Sequence, residues 1–434
     1  MKINACAALA AILFLSLSRI SAAHVQDTVT VHNTILPVIT DREHNVIAEF
    51  CIHNDSDSLL VLDNVNVRVS GPASSSLDRI SLMYSGTMSV LYSETSSYVL
   101  RDAFRHIGAG QQIFCHPAYV MEQSSSGIRS KSSEGTGIAL ASGKKLIKGE
   151  NWFYVSGSID SRRIKNMADT FTLEITGISL NGNPAVILNE GSTEHRPATG
   201  VRQYMDDGVF VYRIPGLTTA NDGSLIAVYD VRHTSGMDLQ DNIDVGMSRS
   251  LDKGVSWEKM KIIMDMGEWG GLPQAQNGIG DPCVVVDSGT GEIFVVAVWT
   301  YGLGNNHAWG QVGQGFSPEE TAQMMIVSSK DNGKTWSAPR NITSQVKQKD
   351  WCFTLQGPGR GISMKDGTLV VPIQYQDASR IPHSGIMFSK DHGKTWKAYP
   401  GACPRTTEAQ VAEIRPGVLM LNMRNDRKTG RVVY

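Results

Sequence analysis

The sequence predicts an all-β protein, with a β-sandwich in its first half and an incomplete β-propeller in its second. Three observations carry this reading. From Asp27 to about Leu188, short runs alternate apolar and polar residues with period two. Beyond residue 200, four glycine-containing turns recur, each followed by an apolar strand. A second, stricter motif trails the first three of those turns in step. Period-two alternation marks half-buried strands, and a unit recurring every few dozen residues marks a repeat architecture.

The first element is an export signal over 1–23. Lys2 supplies a positive start, Ala5 to Leu17 is a nearly unbroken apolar run, and Ser21-Ala22-Ala23 places small residues at a cleavage site after Ala23. The run is too short to span a bilayer, so it reads as a signal peptide of a secreted or periplasmic protein. No later apolar stretch is long enough to be transmembrane.

The sandwich is expected over 27–188. Val65, Val67 and Val69 alternate with Asn66, Arg68 and Ser70, and Phe171, Leu173 and Ile175 alternate with Thr172, Glu174 and Thr176. Such strands, joined by polar Gly/Ser loops, read as an antiparallel sandwich. Ser124 to Gly137 reads as a long exposed loop, and 189–199, with its Gly, Pro and charges, as a linker. Signal removal takes Cys6 and leaves Cys51, Cys115, Cys283, Cys352 and Cys403. Their spacing fits neither a metal site nor a dense disulfide framework, so free thiols in strand-like runs are expected, with no metal and no cofactor.

The propeller occupies 200–434. Its turn signals are Asn221-Asp222-Gly223, Gly289-Thr290-Gly291, Asp366-Gly367 and Pro416-Gly417. The stricter motif reads Ser250-x-Asp252-x-Gly254-x-Ser256-Trp257, then Ser329-x-Asp331-x-Gly333-x-Thr335-Trp336, then Ser389-x-Asp391-x-Gly393-x-Thr395-Trp396. Ser and Asp bond the backbone of a tight turn, Gly permits positive φ, and Trp packs between sheets, so these boxes are structural staples. A plain hairpin followed by a boxed hairpin makes one four-stranded blade. Three blades are complete and a fourth has its first hairpin. A propeller closes to protect its edges, and Arg431 to Tyr434 reads as the start of a strand, so the expectation is a C-terminally truncated propeller of about three and a half blades.

The net charge of −2 gives no basic footprint for nucleic acid. Blade topology instead gathers certain polar residues on one face. Arg213 opens strand one of the first blade, Arg232 ends its strand two, and Asp238 lies in the loop that follows. Asp281 precedes strand one of the second blade; Glu408 and Arg424 hold the equivalent places in the fourth. Arginine forks bind carboxylates, and nearby carboxyl groups exchange protons, so the set points to an anionic ligand and acid/base chemistry.

The Tyr212-Arg213-Ile214-Pro215 segment, the three boxes and Glu408 placed before Arg424 resemble the bacterial exo-α-sialidases, across essentially the whole mature chain. The resemblance implies a six-bladed propeller, led by a carbohydrate-binding-like sandwich. It implies that Arg213 and Arg424 are two arginines of a carboxylate-binding triad, Asp238 the acid/base and Glu408 the group activating a tyrosine nucleophile. Arg232 and Asp281 would stand near the sugar's 4-hydroxyl. Trp299 is left open between lining an N-acetyl pocket and packing in the core. Sialic acid carries its own carboxylate at the anomeric carbon, which repels an anionic nucleophile, and sialidases use tyrosine with retention of configuration. Substrates would be sialylated glycoproteins, glycolipids or oligosaccharides.

The family's third arginine and its tyrosine match no residue of 1–434, and Tyr434 follows Arg424 too closely to be that tyrosine. A non-catalytic glycan-binding propeller, a protein-recognition scaffold and a trans-sialidase are the competing readings. Purified 24–434 is accordingly expected to hydrolyse no fluorogenic α-sialoside; measurable turnover by that polypeptide overturns the expectation.

Overall fold

The computed structural model describes residues 28–33, 37–42, 44–55, 59–87, 119–121, 136–189, 194–203, 205–304, 306–427 and 429–434. The expected signal peptide, Cys115 and residues 124–135 of the expected loop lie outside them; Thr136 and Gly137 open a strand. The chain divides into two compact units, Met1–Ala198 and Thr199–Tyr434. Among the described residues no helix is long and apolar enough to cross a membrane.

The first unit contains β1 (Thr28–Asn33), β2 (Val38–Ile39), β3 (Asn45–Asn54), β4 (Val61–Ser70), β5 (Leu77–Gly86), β6 (Tyr119–Met121), β7 (Thr136–Lys145), β8 (Gly149–Ile159), β9 (Phe171–Leu180), β10 (Asn183–Pro184), β11 (Val186–Asn189), β12 (Glu194–His195) and β13 (Pro197–Ala198). Among the described residues two large sheets result, ordered β11-β1-β3-β8-β5-β6 and β10-β9-β4-β7, with β13-β2 as a small third. The alternation works as expected. Val65, Val67, Val69, Phe171, Leu173 and Ile175 are all buried in one core with Phe50 and Phe153, whose rings stack at 5.3 Å. Each such apolar side chain removed from water contributes about 1.5–3 kcal/mol. On the other face of β4 and β9, Arg68 and Glu174 lie opposite each other and pair at 3.5 Å.

Two expectations need correction. The sandwich is not wholly antiparallel, because β11 returns to pair in parallel with β1, Thr28 opposite Val186. The stretch read as a linker is held by the first unit: β12 pairs β9, β13 pairs β2, and His195 and Pro197 are buried. Its charges and proline suggested a solvated tether, but a two-residue pairing is too short to leave a periodic signature.

The second unit is a series of sheets. Blade one is β14 (Val211–Thr219), β15 (Leu225–Arg232), β16 (Ile243–Ser250) and β17 (Lys261–Met264). Blade two is β18 (Ile279–Val286), β19 (Ile293–Trp299), β20 (Gln323–Ser329) and β21 (Arg340–Asn341). Blade three has a broken first strand, β22 (Thr354–Gln356) and β24 (Ile362–Ser363), with β23 (Gly359–Arg360) between them pairing β18. It continues with β25 (Leu369–Gln376), β26 (Pro382–Ser389) and β27 (Lys397–Pro404). A three-stranded sheet follows, β28 (Thr406–Arg415), β29 (Val418–Asn425) and β30 (Arg431–Val433).

Each box joins the third and fourth strands of its blade. In the third box, Ser389 Oγ donates to Asp391 Oδ1 at 2.8 Å and accepts the Gly393 N–H at 2.9 Å. Asp391 also accepts from the backbone and hydroxyl of Thr395, at 2.9 and 2.6 Å. The same bonds recur about Asp252 and Asp331. Gly393 has φ +76°, and a Cβ there would stand 2.3 Å from the Phe294 ring of blade two. Trp396 crosses that ring edge-on at 6.3 Å and is fully buried between blades two and three, so the box staples a turn and docks its blade on the one before.

Hydrogen bonds from Thr395 and Ser389 hold the Asp391 carboxyl down to about 2. A depressed folded value contributes stability that is full above the unfolded value near ~3.9 and fades as pH falls toward 2. Asp391→Asn should therefore lower the unfolding midpoint at pH 7. The gap from wild type should close between pH 4 and pH 2 in a thermal melt series; a gap independent of pH contradicts the assignment.

Candidate active site

A blade's first strand runs through a packed interior, so a polar side chain reaches the inner rim only where the ladder breaks. The register of β14 on β15 shifts between Arg213 and Gly216, that of β18 on β19 between Gly280 and Cys283, and that of β28 on β29 between Thr406 and Ala409. Asp281 and Glu408 lie within their breaks, and Arg213, opposite Asp230, is the last paired residue before its own. A bulge bends its strand and re-aims the extra residue, which is why bulges collect beside active sites. In blade three the break is wider, and Gln356 stands at its edge.

Around Asp238 two guanidiniums converge. Arg213 Nη1 donates to Asp238 Oδ1 and to the Gly236 carbonyl, both at 2.9 Å. Arg232 Nη1 donates to the same oxygens at 2.9 and 3.0 Å, and to the Met237 carbonyl. The Asp238 side chain stays open to solvent, whereas that of Arg232 is 1% accessible. Partial removal from water would raise the Asp238 carboxyl, but Arg232 and Arg213 outweigh it and hold it below the ordinary carboxylate range.

Asp281 is half-buried, with φ +57°, and its carboxyl accepts no hydrogen bond among the described residues. Burial, then the charges of Asp230, Asp238 and Glu408, raise it against the pull of Arg232. Burial raises the Asp230 carboxyl as well, against the pull of Arg232 and the Asp281 N–H, and both of its oxygens accept hydrogen bonds. Further round the rim, Arg424 Nη1 donates to Glu408 Oε2 at 3.1 Å, with both side chains accessible.

The structure thus joins Arg213, Arg232 and Asp238 directly, ties Asp281 to them through Asp230, and sets Glu408 with Arg424. Arg232 differs from its expected role. Its Nε, Nη1 and one Nη2 hydrogen are spent inside the protein, so it supports the pocket more than it faces one. Sequence reasoning missed Asp230 and Gln356. Asp230 stands two residues before Arg232, the spacing that puts both on one strand face. Gln356 donates to the carbonyls of Asp281 and Gly280, and its only sequence signal was a polar residue ahead of Gly357-Pro358-Gly359.

Comparison with known proteins identifies the family. Residues 26–184 match the N-terminal domain of BNR-repeat neuraminidase, and 223–434 match the BNR repeat-like domain. A sialidase of Bacteroides fragilis is 42% identical over 97% of the chain and 76% of its own length. The chain belongs to the bacterial sialidases. A solved structure, the Hadza microbial sialidase Hz136, superposes with TM-score 0.75 at 39% identity, covering 93% of this chain and 77% of that one. A sialidase of Paraclostridium sordellii is 32% identical over 51% of the chain and 54% of its own length. As a sialidase the protein is a glycoside hydrolase whose substrates are sialylated glycans. In this sialidase Trp299 is a core residue, 4% exposed and crossed edge-on by Trp269 at 5.1 Å, so it lines no open pocket.

Proposed function

We propose that this face is the sialic-acid side of an exo-α-sialidase site that cleaves terminal α-ketosidic linkages with retention of configuration. The observation that carries the reading is the convergence of Arg213 and Arg232 on Asp238 Oδ1, beside Asp281 and the Arg424–Glu408 pair. Arg213 and Arg424 are permanent cations with accessible side chains, suited to the substrate carboxylate. Asp238 gives its proton to the leaving oxygen as the anomeric C–O bond breaks. Glu408 takes the proton of a tyrosine hydroxyl as that oxygen bonds the anomeric carbon, although none of residues 1–434 is assigned as that tyrosine. In the second half, Asp238 takes a proton from water, the water oxygen attacks, and the tyrosine oxygen leaves with the proton returned by Glu408. The arginines hold the carboxylate while positive charge builds on the ring.

The acid role needs Asp238 protonated, yet two arginines favour its anion in the free protein. Arg213 resolves this, because its Nη1 cannot serve Asp238 and a substrate carboxylate equally. Capture of the carboxylate draws Arg213 away from Asp238 and brings an anion close, and both effects raise the Asp238 carboxyl. The facing charged groups are Arg213, Arg232, Asp230 and Asp281, with Glu408 beyond. The alkaline limb of kcat should therefore lie above the pKa of Asp238 in the free protein, by about one unit or more.

The first unit is proposed as a carbohydrate-binding-like domain over 27–188 and the second as a propeller over 200–434, on a protein exported by its 1–23 signal to the periplasm or exterior. Glycoproteins, glycolipids and oligosaccharides bearing sialic acid are the proposed substrates. The test follows α-sialyllactose hydrolysis by the mature product of the complete reading frame, using proton NMR. The α-anomer of sialic acid should appear first, and Asp238→Ala should lower kcat/KM by about 10²–10⁴-fold. Initial release of the β-anomer, or an unimpaired Asp238→Ala variant, overturns the proposal.

A further inference from the structure

Asp230 is wholly inaccessible, and both of its oxygens are committed. Oδ2 accepts Arg232 Nε at 3.1 Å and Nη2 at 2.8 Å. Oδ1 accepts the Asp281 backbone N–H at 2.7 Å, across the boundary between blades one and two. The approach is close enough that a Cβ on Gly280 would stand 3.0 Å from Oδ1.

Each bond fixes something at the reacting face. A guanidinium is planar, so gripping its Nε/Nη2 edge sets the direction of Nη1. Arg232 Nη1 then meets Gly236 O, Met237 O and Asp238 Oδ1 together, folding the loop corner that presents Asp238. On the other side, Asp281 holds a left-handed backbone that a residue with a side chain keeps only when its surroundings impose it. Asp230 anchors the N–H of that bulge, while Gln356 donates to its carbonyl from blade three.

We propose that Asp230 is a positioning residue for proton transfer, one buried carboxylate that holds Asp238 through Arg232 and Asp281 through its backbone. The inference rests on the reading of Asp238 as the acid. A charge pair that only stapled blade one would do neither task, and the two roles separate by leaving group. A sugar hydroxyl leaves poorly and needs the acid, whereas an umbelliferone leaves as a stabilised anion and hardly needs it. Loss of folded protein lowers both rates alike; loss of acid placement lowers the first far more.

Asp230→Asn keeps an acceptor for the Asp281 N–H but turns an amide donor toward Arg232 Nε and Nη2 and removes the countercharge. In the mature product of the complete reading frame, this variant should lose about 10²-fold in kcat/KM on α-sialyllactose and at least tenfold less on 4-methylumbelliferyl α-sialoside. Combined with Asp238→Ala, it should add little to the loss that Asp238→Ala alone causes on sialyllactose. Equal losses on the two substrates, or losses that multiply in the double variant, overturn the proposal. Asp238→Ala is the control: if it shows no leaving-group split, the acid reading itself fails, whereas a split there without one in Asp230→Asn sinks only the present inference. Should Asp230→Asn not fold by circular dichroism, Arg232→Lys carries the same test. It keeps a cation beside Asp230 but lacks the fork that reaches Asp238, so the split supports the proposal and equal losses refute it.

Discussion

A strand sends alternate side chains to opposite faces, and a strand packed on both faces has nowhere to put a charge. The inner strands here are of that kind; β19 and β25 are buried along their whole length. Chemistry at the inner rim therefore depends on breaking the ladder without losing the sheet. Blades one and two and the fourth sheet each have a register shift in the first strand, with the polar residue inside it at Asp281 and Glu408 and beside it at Arg213. The packing of apolar residues between blades keeps these interrupted strands in place. Ile226, Val245, Val284 and Val295 lie in one core shared by blades one and two, and Val285, Phe294, Val371 and Met387 in one shared by blades two and three. The boxes add to this from the opposite ends of the strands, at Trp336 and Trp396.

Within that frame, the Asp230–Arg232 pair is poorly explained by stability. Removing two charges from water costs several kcal/mol per ion, and well-packed apolar residues in place of such a pair are often neutral or stabilising by about 1–4 kcal/mol. Breaking the pair by removing one partner costs about 3–5 kcal/mol, because the remaining charge is stranded. A residue pair that gains little by being present and loses much by being halved suits a task of direction. Here the direction is given by hydrogen bonds from Arg232 to three acceptors of the Asp238 loop, and by one carboxylate oxygen on the next blade.

The repeats and the outward-facing polar residues were legible in the sequence because each leaves a local mark. A box is eight positions of turn chemistry ending in Trp, and the alternation of Val65, Val67 and Val69 needs no partner to be recognised. Arg213, Asp238, Asp281, Glu408 and Arg424 could be sorted to one face from strand order alone. What stayed hidden depends on contacts between elements far apart in sequence. Asp230 looked like a polar interruption in an apolar strand; its meaning lies in Asp281, 51 residues on. Gln356 acts on the same residue from 75 positions away. Trp299 ends an apolar strand on the face carrying the site, and only the edge-on ring of Trp269 decides that it is core. Residues 194–198 carry a proline and charges, yet the open edges of β2 and β9 take them up.

With Asp238 proposed as the acid, the same cluster gives a reason why an acid can be left on an exposed loop. An unrestrained carboxylate there would sample many orientations, and ordering it on substrate binding would cost affinity. Two arginines restrain it in advance, one buried and one accessible, and the asymmetry between them matters. Arg232 is 1% accessible and anchored on Asp230; Arg213, 33% accessible, is the cation that the proposed mechanism gives to the substrate carboxylate. Binding, on that proposal, removes the accessible restraint and keeps the buried one. In the proposed mechanism Asp238 keeps its place with one cation fewer and an anion nearer, which favours the protonated state that proton donation requires. Under that proposal geometry and proton affinity are set by different arginines, and the substrate displaces only the second.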